Sequence, residues 1–254
     1  MGVLDLISVN EIAPYAIMGF LLVILVVRLK TRAIARKVDS QCVHVAIAAR
    51  PYFKNASREP VAGDFATYRW AATNWGYPGK MRSFRCVFNL KRTNDPLHLL
   101  INYVNPQPKD VIQFELKFKP VVESYCCIVA NRYAKNYKER SQGILARLAP
   151  VSQKEQIAGY QMCESFNGFA LMLRKFVSDE LFASVRVLAI ENNVLRMEIE
   201  APSKAEALTA YTTELFQIAR KLMEIKLTDQ QEKQNHKRNE LAQKFEQKQQ
   251  LAKQ

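Results

Sequence analysis

Residues 112–119 read Ile-Gln-Phe-Glu-Leu-Lys-Phe-Lys, a strict alternation of apolar and polar side chains. Successive side chains of a β-strand point to opposite faces of a sheet, so this period of two places one row in a core and the other in water. Ile112, Phe114, Leu116 and Phe118 form the expected buried row. The stretch therefore predicts a β-strand with one buried face.

Other segments with similar signals extend this strand into a sheet. Residues 125–130 are almost uniformly apolar, as expected for a strand in a central position. Asn192-Asn193 separates two alternating segments and tolerates the left-handed backbone that tight hairpins require, so a hairpin is predicted there. The strands expected beside residues 112–118 are 66–70, 84–90, 125–130, 185–191 and 194–200.

Helix signals lie between and after these strands. The last helix is the clearest, because an apolar stripe at helical spacing runs from Leu208 to Ile225 and should pack on the sheet. Ser203 and Glu206 have the spacing of a capping box that would open this helix. The fold class is therefore α+β, an antiparallel sheet packed with helices. Other helices are expected at residues 94–105 and 131–148, near Ile157 after a Ser152…Glu155 capping box, and from Asp179-Glu180, whereas residues 169–176 are ambiguous.

The N-terminal region contains a candidate membrane anchor. Residues 12–27 are sixteen consecutive uncharged residues, preceded by Asp5 and Glu11 and followed at once by basic residues. About 20 apolar residues span a bilayer core, and Leu29 can extend the run if the Arg28 side chain reaches to the surface. We predict a transmembrane helix over residues 12–29. The expected anchor residues are Ile12, Phe20, Val27, Arg28, Lys30 and Arg32.

A cleaved signal peptide is the competing interpretation of the same run. Such a signal has a basic start, an apolar centre and a small-residue cleavage site. Here the start is acidic and the cleavage-like residues 33–35 stand among basic residues, so the sequence favours an anchor. Basic residues flank membrane helices on the cytosolic side. Residues 1–11 are therefore expected in the lumen, and the chain from Arg28 onward in the cytosol.

The cytosolic part is strongly basic. All 37 Lys and Arg residues lie at or after Arg28 with 22 of the 24 acidic residues, which gives 37 minus 22, or +15. Such an excess argues for a polyanionic partner, either anionic lipid or nucleic acid, and its sign does not choose between them. The expected organisation is a lumenal N terminus (1–11), a transmembrane helix (12–29), a basic juxtamembrane helix and loop (30–63), one folded domain (64–227) and a Lys- and Gln-rich helical tail (228–254).

The tail has no apolar residue from Thr228 to Glu240. A two-stranded coiled coil needs apolar positions over several heptads, so the tail is not expected to pair with itself. It is a solvated helix, a disordered segment, or a segment ordered on a partner. Tyr133 and Tyr137 could also stack on RNA, although a half-buried pair on the sheet is favoured. The candidate contacts to an RNA backbone are Lys233, Lys237, Arg238, Lys244 and Lys248.

The sequence offers no signal for an enzyme, a metal site or a cofactor. The phosphate-binding and nucleophile motifs GxGxxG, GxxxxGK[ST] and GxSxG are absent. The five cysteines show no CxxC spacing and are expected to be buried free thiols, with a redox pair at Cys126-Cys127 as the less favoured alternative. His44, His98 and His236 lack metal-ligand spacing.

Two local patterns carry a resemblance to a known family. Residues 88–92, Phe-Asn-Leu-Lys-Arg, lead directly into the 94–105 helix, and the strand that begins at residues 110–113 follows two prolines. The final helix, residues 207–221, then passes without a break into Lys226-Leu227 and the basic tail. In this order of elements, from Arg28 to the C terminus, the chain resembles the calumin-like family of coiled-coil-domain ER membrane proteins, subunits of the PAT (protein associated with the ER translocon) complex.

The resemblance implies a co-translational role at the ER membrane. Family members place a cytosolic domain beside the ribosome at the Sec translocon and, with a small membrane partner of the Asterix type, shield polar transmembrane segments of nascent multipass proteins. The basic tail could then follow ribosomal RNA, which is recognised through shape and phosphate rather than base sequence. Animal members also carry a long acidic lumenal segment linked to calcium. Residues 1–11 do not match it, so no calcium site is predicted.

Two other functions stay open. A bilayer-surface tether or scaffold would use residues 28–50 to grip anionic lipid and the tail to bind a protein partner, without ribosome contact. A mitochondrial inner-membrane ribosome receptor is disfavoured, because residues 1–11 contain two acids and no arginine, unlike a transit peptide. The favoured expectation is a non-enzymatic, single-pass ER membrane protein that chaperones multipass clients by binding them.

Overall fold

The computed structural model describes residues 9–53, 55–60, 67–73, 81–89, 110–119, 124–140, 149–150, 157–238 and 240. The chain divides into two units. One comprises Met1–Ser40 and Lys91–Pro108, and the other comprises Gln41–Leu90 and Lys109–Gln254. The first unit is described over residues 9–40, and the second holds the rest of the described chain.

The first helix, α1, covers Val9–Ala49, which is 41 residues. Its length is about 60 Å at 1.5 Å per residue. The sequence predicts helical segments on both sides of Arg28, and the structure joins them in one continuous helix. Within the part of the chain that the structure describes, no helix combines the length and apolar character needed to cross a bilayer.

The second unit is built on one antiparallel sheet. Its strand order among the described residues is β1-β2-β3-β4-β9-β8-β5-β7-β6, and every neighbouring pair is antiparallel. The predicted α+β class with an antiparallel sheet is confirmed. The strands are β1 (Asn55–Pro60), β2 (Thr67–Thr73), β3 (Met81–Asn89), β4 (Val111–Phe118), β5 (Ser124–Ala130), β6 (Ala149–Pro150), β7 (Tyr160–Glu164), β8 (Val185–Asn192) and β9 (Val194–Glu200).

The remaining helices follow β5 or lie after β7. They are α2 (Asn131–Arg140), α3 (Phe169–Lys175), α4 (Asp179–Ser184) and α5 (Ala207–Leu222). Residues 229–238 form a further helix, called the terminal helix below. The expected helix start at Asp179-Glu180 is confirmed, with Ser178 as the N-cap whose side chain accepts from the Leu181 N–H.

One face of the sheet carries the main core. The four apolar residues of the 112–118 stretch are at most 1% exposed, as the alternation predicts. α5 covers this face, and the ring of Phe216 lies 5.1 Å from that of Phe84 on β3. Phe53, just after α1, stacks on the same Phe84 ring at 6.1 Å. The predicted packing of the last helix on the sheet is therefore confirmed.

The opposite face is covered by α2 at its β5–β8 end. Cys127, Val129, Val187 and Ala189 are buried there with Ala134 of α2. Beyond this cluster the face is polar, with Gln113 on β4 donating to Glu198 on β9 at 3.0 Å. A sheet with one apolar face and one more polar face is a common result of antiparallel pairing.

Three described strands, β1, β6 and β7, occur where the sequence predicts none. The sequence predicts a loop over residues 51–63, but 55–60 form the edge strand β1, which ends at Pro60. Proline is tolerated at such an edge because no further strand needs its missing N–H. Of the helix predicted near Ile157, residues 157–159 form a turn that leads into β7, and the capping-box residues Ser152 and Glu155 lie outside the described residues.

The start of α5 also differs from the prediction. The Ser203…Glu206 capping box does not form, because Glu206 is itself the N-cap, already has helical φ and ψ, and makes no side-chain cap bond. The first N–H groups are satisfied by tight turns instead, as when the Ala207 N–H donates to the Lys204 carbonyl at 3.3 Å.

The end of α5 corrects a second expectation. The sequence predicts that the final helix runs without a break into Lys226-Leu227, but α5 ends at Leu222 and residues 225–228 are not helical. A capping box then opens the terminal helix: the Gln231 N–H donates to Thr228 Oγ1 at 3.4 Å, and the Thr228 N–H donates to Gln231 Oε1 at 3.0 Å. The predicted helix at 94–105 and residues 141–148 of the predicted 131–148 helix lie outside the described residues.

Candidate polyanion-binding surfaces

The apolar half of α1 exposes its side chains in every direction. Phe20 is 67% exposed, and Leu21, Leu22, Val23, Ile24, Leu25 and Val26 are between 37% and 61% exposed. Seven consecutive residues cover the whole circumference of a helix, because each turn takes 3.6 residues. A helix that is apolar on all sides needs a covering medium or partner. Of the predicted anchor residues, the side chains of Ile12, Val27 and Lys30 lie outside the described set.

A stripe of arginines follows this apolar stretch on the same helix. Arg28, Arg32 and Arg36 are spaced by four residues and are all exposed. Residues four apart lie on one face of an α-helix, so the three guanidinium groups form a line about 12 Å long. This arginine stripe places concentrated positive charge directly beside exposed apolar surface.

The terminal helix carries the second candidate surface. Lys233 and Lys237, again four residues apart, are both exposed and lie on one face. Arg238 differs from them, because its guanidinium donates to the backbone carbonyl of Glu164. The predicted contacts Lys244 and Lys248 lie outside the described residues. Two of the five predicted tail contacts are therefore displayed together, and a third is engaged within the domain.

The side of the terminal helix away from these lysines docks on the turn after β7. The backbone N–H of Asn167 donates to Gln234 Oε1 at 3.2 Å, and its carbonyl accepts from Gln231 Nε2 at 3.5 Å. Asn235 is only 4% exposed. The sequence-based alternatives for this tail did not include packing on its own domain, which is what residues 229–238 do.

The tyrosines of α2 are used inside the domain. Tyr133 and Tyr137 are half-buried against the Cys127 cluster on the sheet, which confirms the favoured structural interpretation. The Tyr133 hydroxyl donates to Glu200 Oε1 at 3.2 Å, and the guanidinium carbon of Arg186 lies 4.6 Å from its ring centre. The ring is thus already packed and is not set out as a base-stacking platform.

Glu200 is the centre of a small buried charge network. Its Oε1 lies 2.5 Å from Arg132 Nη2 and 3.7 Å from Arg186 Nη2. Arg186 is 5% exposed and Glu200 9% exposed, whereas the Arg132 side chain is 61% exposed. A buried carboxylate needs such partners to offset its loss of hydration. The network stabilises the attachment of α2 to β8 and β9.

The cysteines are free thiols, as the sequence predicts. Burial is the main cause that raises the pKa of the Cys86 and Cys126 thiols. The pKa of Cys127 is raised first by a hydrogen bond with the Cys163 thiol and then by burial. Cys127 lies directly opposite Cys163 in the β5–β7 pairing, while its sequence neighbour Cys126 points to the other face. High thiol pKa values oppose nucleophilic chemistry.

The histidines and acidic residues of the described chain do not assemble into a metal site. No group of three His, Cys, Asp or Glu residues with suitable geometry occurs among the residues that were described. His236 lies on the terminal helix, 3.3 Å from Glu240 one turn later. His44 contacts Thr209 at 3.1 Å, and His98 lies outside the described residues.

No protein-family model and no curated protein matches this chain. A function is therefore inferred from the two basic surfaces, the apolar half of α1 and the sequence pattern. The polar docking of the terminal helix was missed at the sequence level. Its signal is the spacing of Gln231, Gln234, Asn235 and Arg238 at positions i, i+3, i+4 and i+7, which is the spacing of a buried helix face.

Proposed function

We propose that this protein is a single-pass ER membrane protein that assists the biogenesis of multipass membrane proteins by binding rather than by catalysis. In this proposal it contacts the ribosome and the Sec translocon from the cytosolic side and shields nascent clients. The observation that carries the proposal is the succession, on the single helix α1, of an apolar segment exposed on all sides and the exposed arginine stripe.

The anchor part of the proposal follows from the cost of leaving this apolar surface in water. Burying one Leu, Ile or Phe side chain is worth about 1.5 to 3 kcal/mol, and a run of them lies exposed between Tyr15 and Leu29. A bilayer would cover all sides of the helix at once, which a single protein groove would not. The arginines would then lie at the cytosolic surface, with residues 1–11 in the lumen.

The ribosome part of the proposal depends on Lys233 and Lys237. Both ammonium groups are on the outer face of a helix whose inner face is docked, so a phosphate backbone could approach them without displacing the helix. Lysines bind phosphate without reading base sequence, which suits contact with ribosomal RNA. Arg238 is not needed for this contact, because its guanidinium already donates to the backbone carbonyl of Glu164.

The identity of the partners is supported by the resemblance to the calumin-like family. Of the first pattern the structure describes only the strand β4, which begins at Val111, and the 94–105 helix lies outside the described residues. The other pattern, an unbroken final helix, is absent because α5 ends at Leu222. The Asterix-type partner and the nascent multipass clients are therefore proposed on the first pattern, the anchor and the basic charge.

Membrane topology is the first test. We expect the full chain to resist extraction from microsomes at alkaline pH, and the double variant Leu22→Arg, Leu25→Arg to be extracted, because each central arginine costs about 2.5 to 3.5 kcal/mol on insertion. Protease added to intact microsomes should digest the sheet domain. Protection of the sheet domain would reject the cytosolic orientation, and extraction of the unaltered chain would reject the anchor.

Ribosome binding is the second test. We expect co-sedimentation with ribosomes to weaken in the Lys233→Glu, Lys237→Glu variant. The slope of its log–log salt dependence should fall by about 0.7 to 0.9 for each phosphate group that the variant no longer binds. The matched control is Lys204→Glu, Arg220→Glu, which makes the same charge change at exposed positions outside the terminal helix. Equal weakening in both variants would mean that only net charge matters, and unchanged binding would reject the role of the lysines.

The second candidate function is a membrane-surface tether that binds anionic lipid and a protein partner without the ribosome. The arginine stripe favours it, because basic residues beside a membrane segment attract anionic headgroups at about 1 kcal/mol each. Binding to vesicles containing phosphatidylserine would then depend on Arg32 and Arg36. If Arg32→Gln, Arg36→Gln abolishes vesicle binding and the unaltered chain does not sediment with ribosomes, the tether replaces the first proposal.

A further inference from the structure

Residues 225–238 are held on the sheet domain by two different kinds of contact. The first part is the short non-helical segment 225–227, which joins α5 to the terminal helix. Ile225 and Leu227 both line an apolar cleft, and Lys226 between them is exposed. The cleft is otherwise lined by Phe118, Ser124, Phe166, Phe169, Ile190 and Leu222.

This geometry explains the break after α5. On a continuing helix, residues 225 and 227 would be about 200° apart around the axis and could not enter the same cleft. The non-helical segment brings both side chains to the cleft. Because Phe118 is on β4 and Ile190 is on β8, the segment closes one end of the core against water.

The second part is the terminal helix, which is held by polar groups alone among its described contacts. Gln231 and Gln234 bind the two backbone groups of Asn167, and Arg238 donates to the Glu164 carbonyl. These contacts fall on the face defined by i, i+3 and i+7, with buried Asn235 at i+4. The face that docks therefore lacks the apolar side chains that fix α5 to the sheet.

The two parts differ from the sheet in the free energy needed to open them. Local opening in proteins begins where few apolar contacts hold a segment, and the core strands open last. Hydrogen bonds to water replace the amide contacts of the terminal helix at small net cost. The segment 225–227 contributes only two apolar side chains, Ile225 and Leu227, to the cleft. The sheet strands, by contrast, bury continuous rows of apolar residues.

We propose that residues 225–238, called the strap below, can detach from the rest of the domain. The strap has two parts: the terminal helix, called the latch, is held by polar contacts, and Ile225 with Leu227, called the clip, is held in the apolar cleft. Once the terminal helix has detached, only the side chains of Ile225 and Leu227 hold the strap on the domain. Because these two contacts are weak, detachment of the helix leads to exposure of the apolar cleft. The closed strap does two things at once: it covers the cleft, and it fixes where Lys233 and Lys237 are displayed. This inference does not depend on ribosome binding or on membrane insertion.

Hydrogen–deuterium exchange on the full-length protein in detergent micelles tests the latch. In the Arg238→Ala variant we expect amides of residues 228–238 to exchange about tenfold faster, since a hydrogen bond with a charged donor is removed. The matched control is Lys237→Ala, which removes a neighbouring exposed basic side chain from the same helix. Amides of β8 and β9 should keep their rates in both variants.

Leu227→Asp tests the clip, with Lys226→Asp as the exposed neighbouring control. We expect the Leu227 variant to speed exchange in 225–238 and to raise the fluorescence of the apolar dye ANS, with no change for the Lys226 variant. The strap is rejected if Arg238→Ala and Lys237→Ala behave alike. It is also rejected if residues 225–238 exchange no faster than β8 and β9 in the unaltered protein, since the segment would then open only with the whole fold.

Discussion

The imidazole Nδ1 of His44 and the hydroxyl Oγ1 of Thr209 lie 3.1 Å apart, joining α1 to α5 across 165 positions of sequence. The same hydroxyl donates to the His44 backbone carbonyl at 3.3 Å. One threonine hydroxyl therefore contacts both the side chain and the backbone of this histidine.

Thr209→Val should test this pairing. The variant keeps the side-chain shape but removes the hydroxyl that contacts the His44 ring and its backbone carbonyl, so we expect a decrease of about 1 to 2 kcal/mol in the free energy of unfolding. The urea concentration at the midpoint of unfolding measures this decrease. Thr213→Val is the matched control, because the Thr213 hydroxyl donates to the Thr209 carbonyl within its own helix. An equal decrease in the two variants would contradict a special role for the contact between the helices.

Glu200→Gln should destabilise the protein far more than Glu198→Gln on the same strand. Glu200 is buried between Arg132 and Arg186, whereas Glu198 is half-buried and accepts from Gln113. Removing one partner of a buried ion pair costs about 3 to 5 kcal/mol, and here the buried Arg186 loses the Glu200 carboxylate. Denaturant unfolding of both variants provides the comparison, and a cost below about 1 kcal/mol for Glu200→Gln would contradict it.

Glu164→Gln should loosen the start of α3. The Glu164 carboxylate accepts from the Gly168 N–H at 3.1 Å and from the Ala170 N–H at 2.8 Å, one bond to each oxygen. Glutamine offers only one acceptor oxygen, so one of the two N–H groups loses its partner at a cost of about 1 to 3 kcal/mol. We expect faster amide exchange at residues 168–170. The exposed Glu180→Gln at the start of α4 should leave these amides unchanged.

Alkaline pH should destabilise the fold through its buried thiols. Cys86, Cys126 and Cys127 have raised pKa values when folded, whereas an unfolded cysteine ionises near pH ~8.5. Above that pH the unfolded state loses protons that the folded state retains, so stability falls as pH rises. Each thiol contributes a slope of about 1.4 kcal/mol per pH unit. Urea midpoints from about pH 7 to 10.5 should decline, and less steeply in Cys126→Ala; an unchanged slope would contradict the assignment.

The periodic parts of the fold were predictable from sequence. The 112–118 strand and the hairpin at Asn192-Asn193 were found because their side chains alternate at a period of two and a tight turn separates the hairpin strands. The stripe on α5 was found for the same reason at the helical period. In each case the pattern that buries one face is local, so a single sequence displays it.

The missed strands lack such a local pattern. β1 contains serine, arginine, glutamate and proline, and its strand conformation comes from pairing with β2 at the edge of the sheet. β7 ends in Glu164, a buried carboxylate whose partners are backbone N–H groups four and six residues later. Neither feature is an apolar alternation. Their pairing is set by the sheet beside them, which the segments themselves do not encode.

The candidate surfaces were also only partly predictable. Charge counting identified the basic tail and the arginines after the apolar run, since charge is visible in any sequence. It could not separate Arg238, which binds the Glu164 carbonyl, from Lys233 and Lys237, which are exposed. That distinction requires knowing which helix face docks. A search for apolar stripes alone passes over a docking face made of amides.

The contacts between the terminal helix and the turn after β7 have an evolutionary consequence. The side chains of Gln231, Gln234 and Arg238 form these hydrogen bonds with main-chain atoms of Asn167 and Glu164, not with their side chains. Every amino acid supplies a carbonyl and, except proline, an N–H. The amino acid at position 167 can therefore change without loss of these hydrogen bonds, provided that Gln231, Gln234 and Arg238 are kept. Among orthologues we expect Gln231, Gln234 and Arg238 to be conserved and the residue at position 167 to vary.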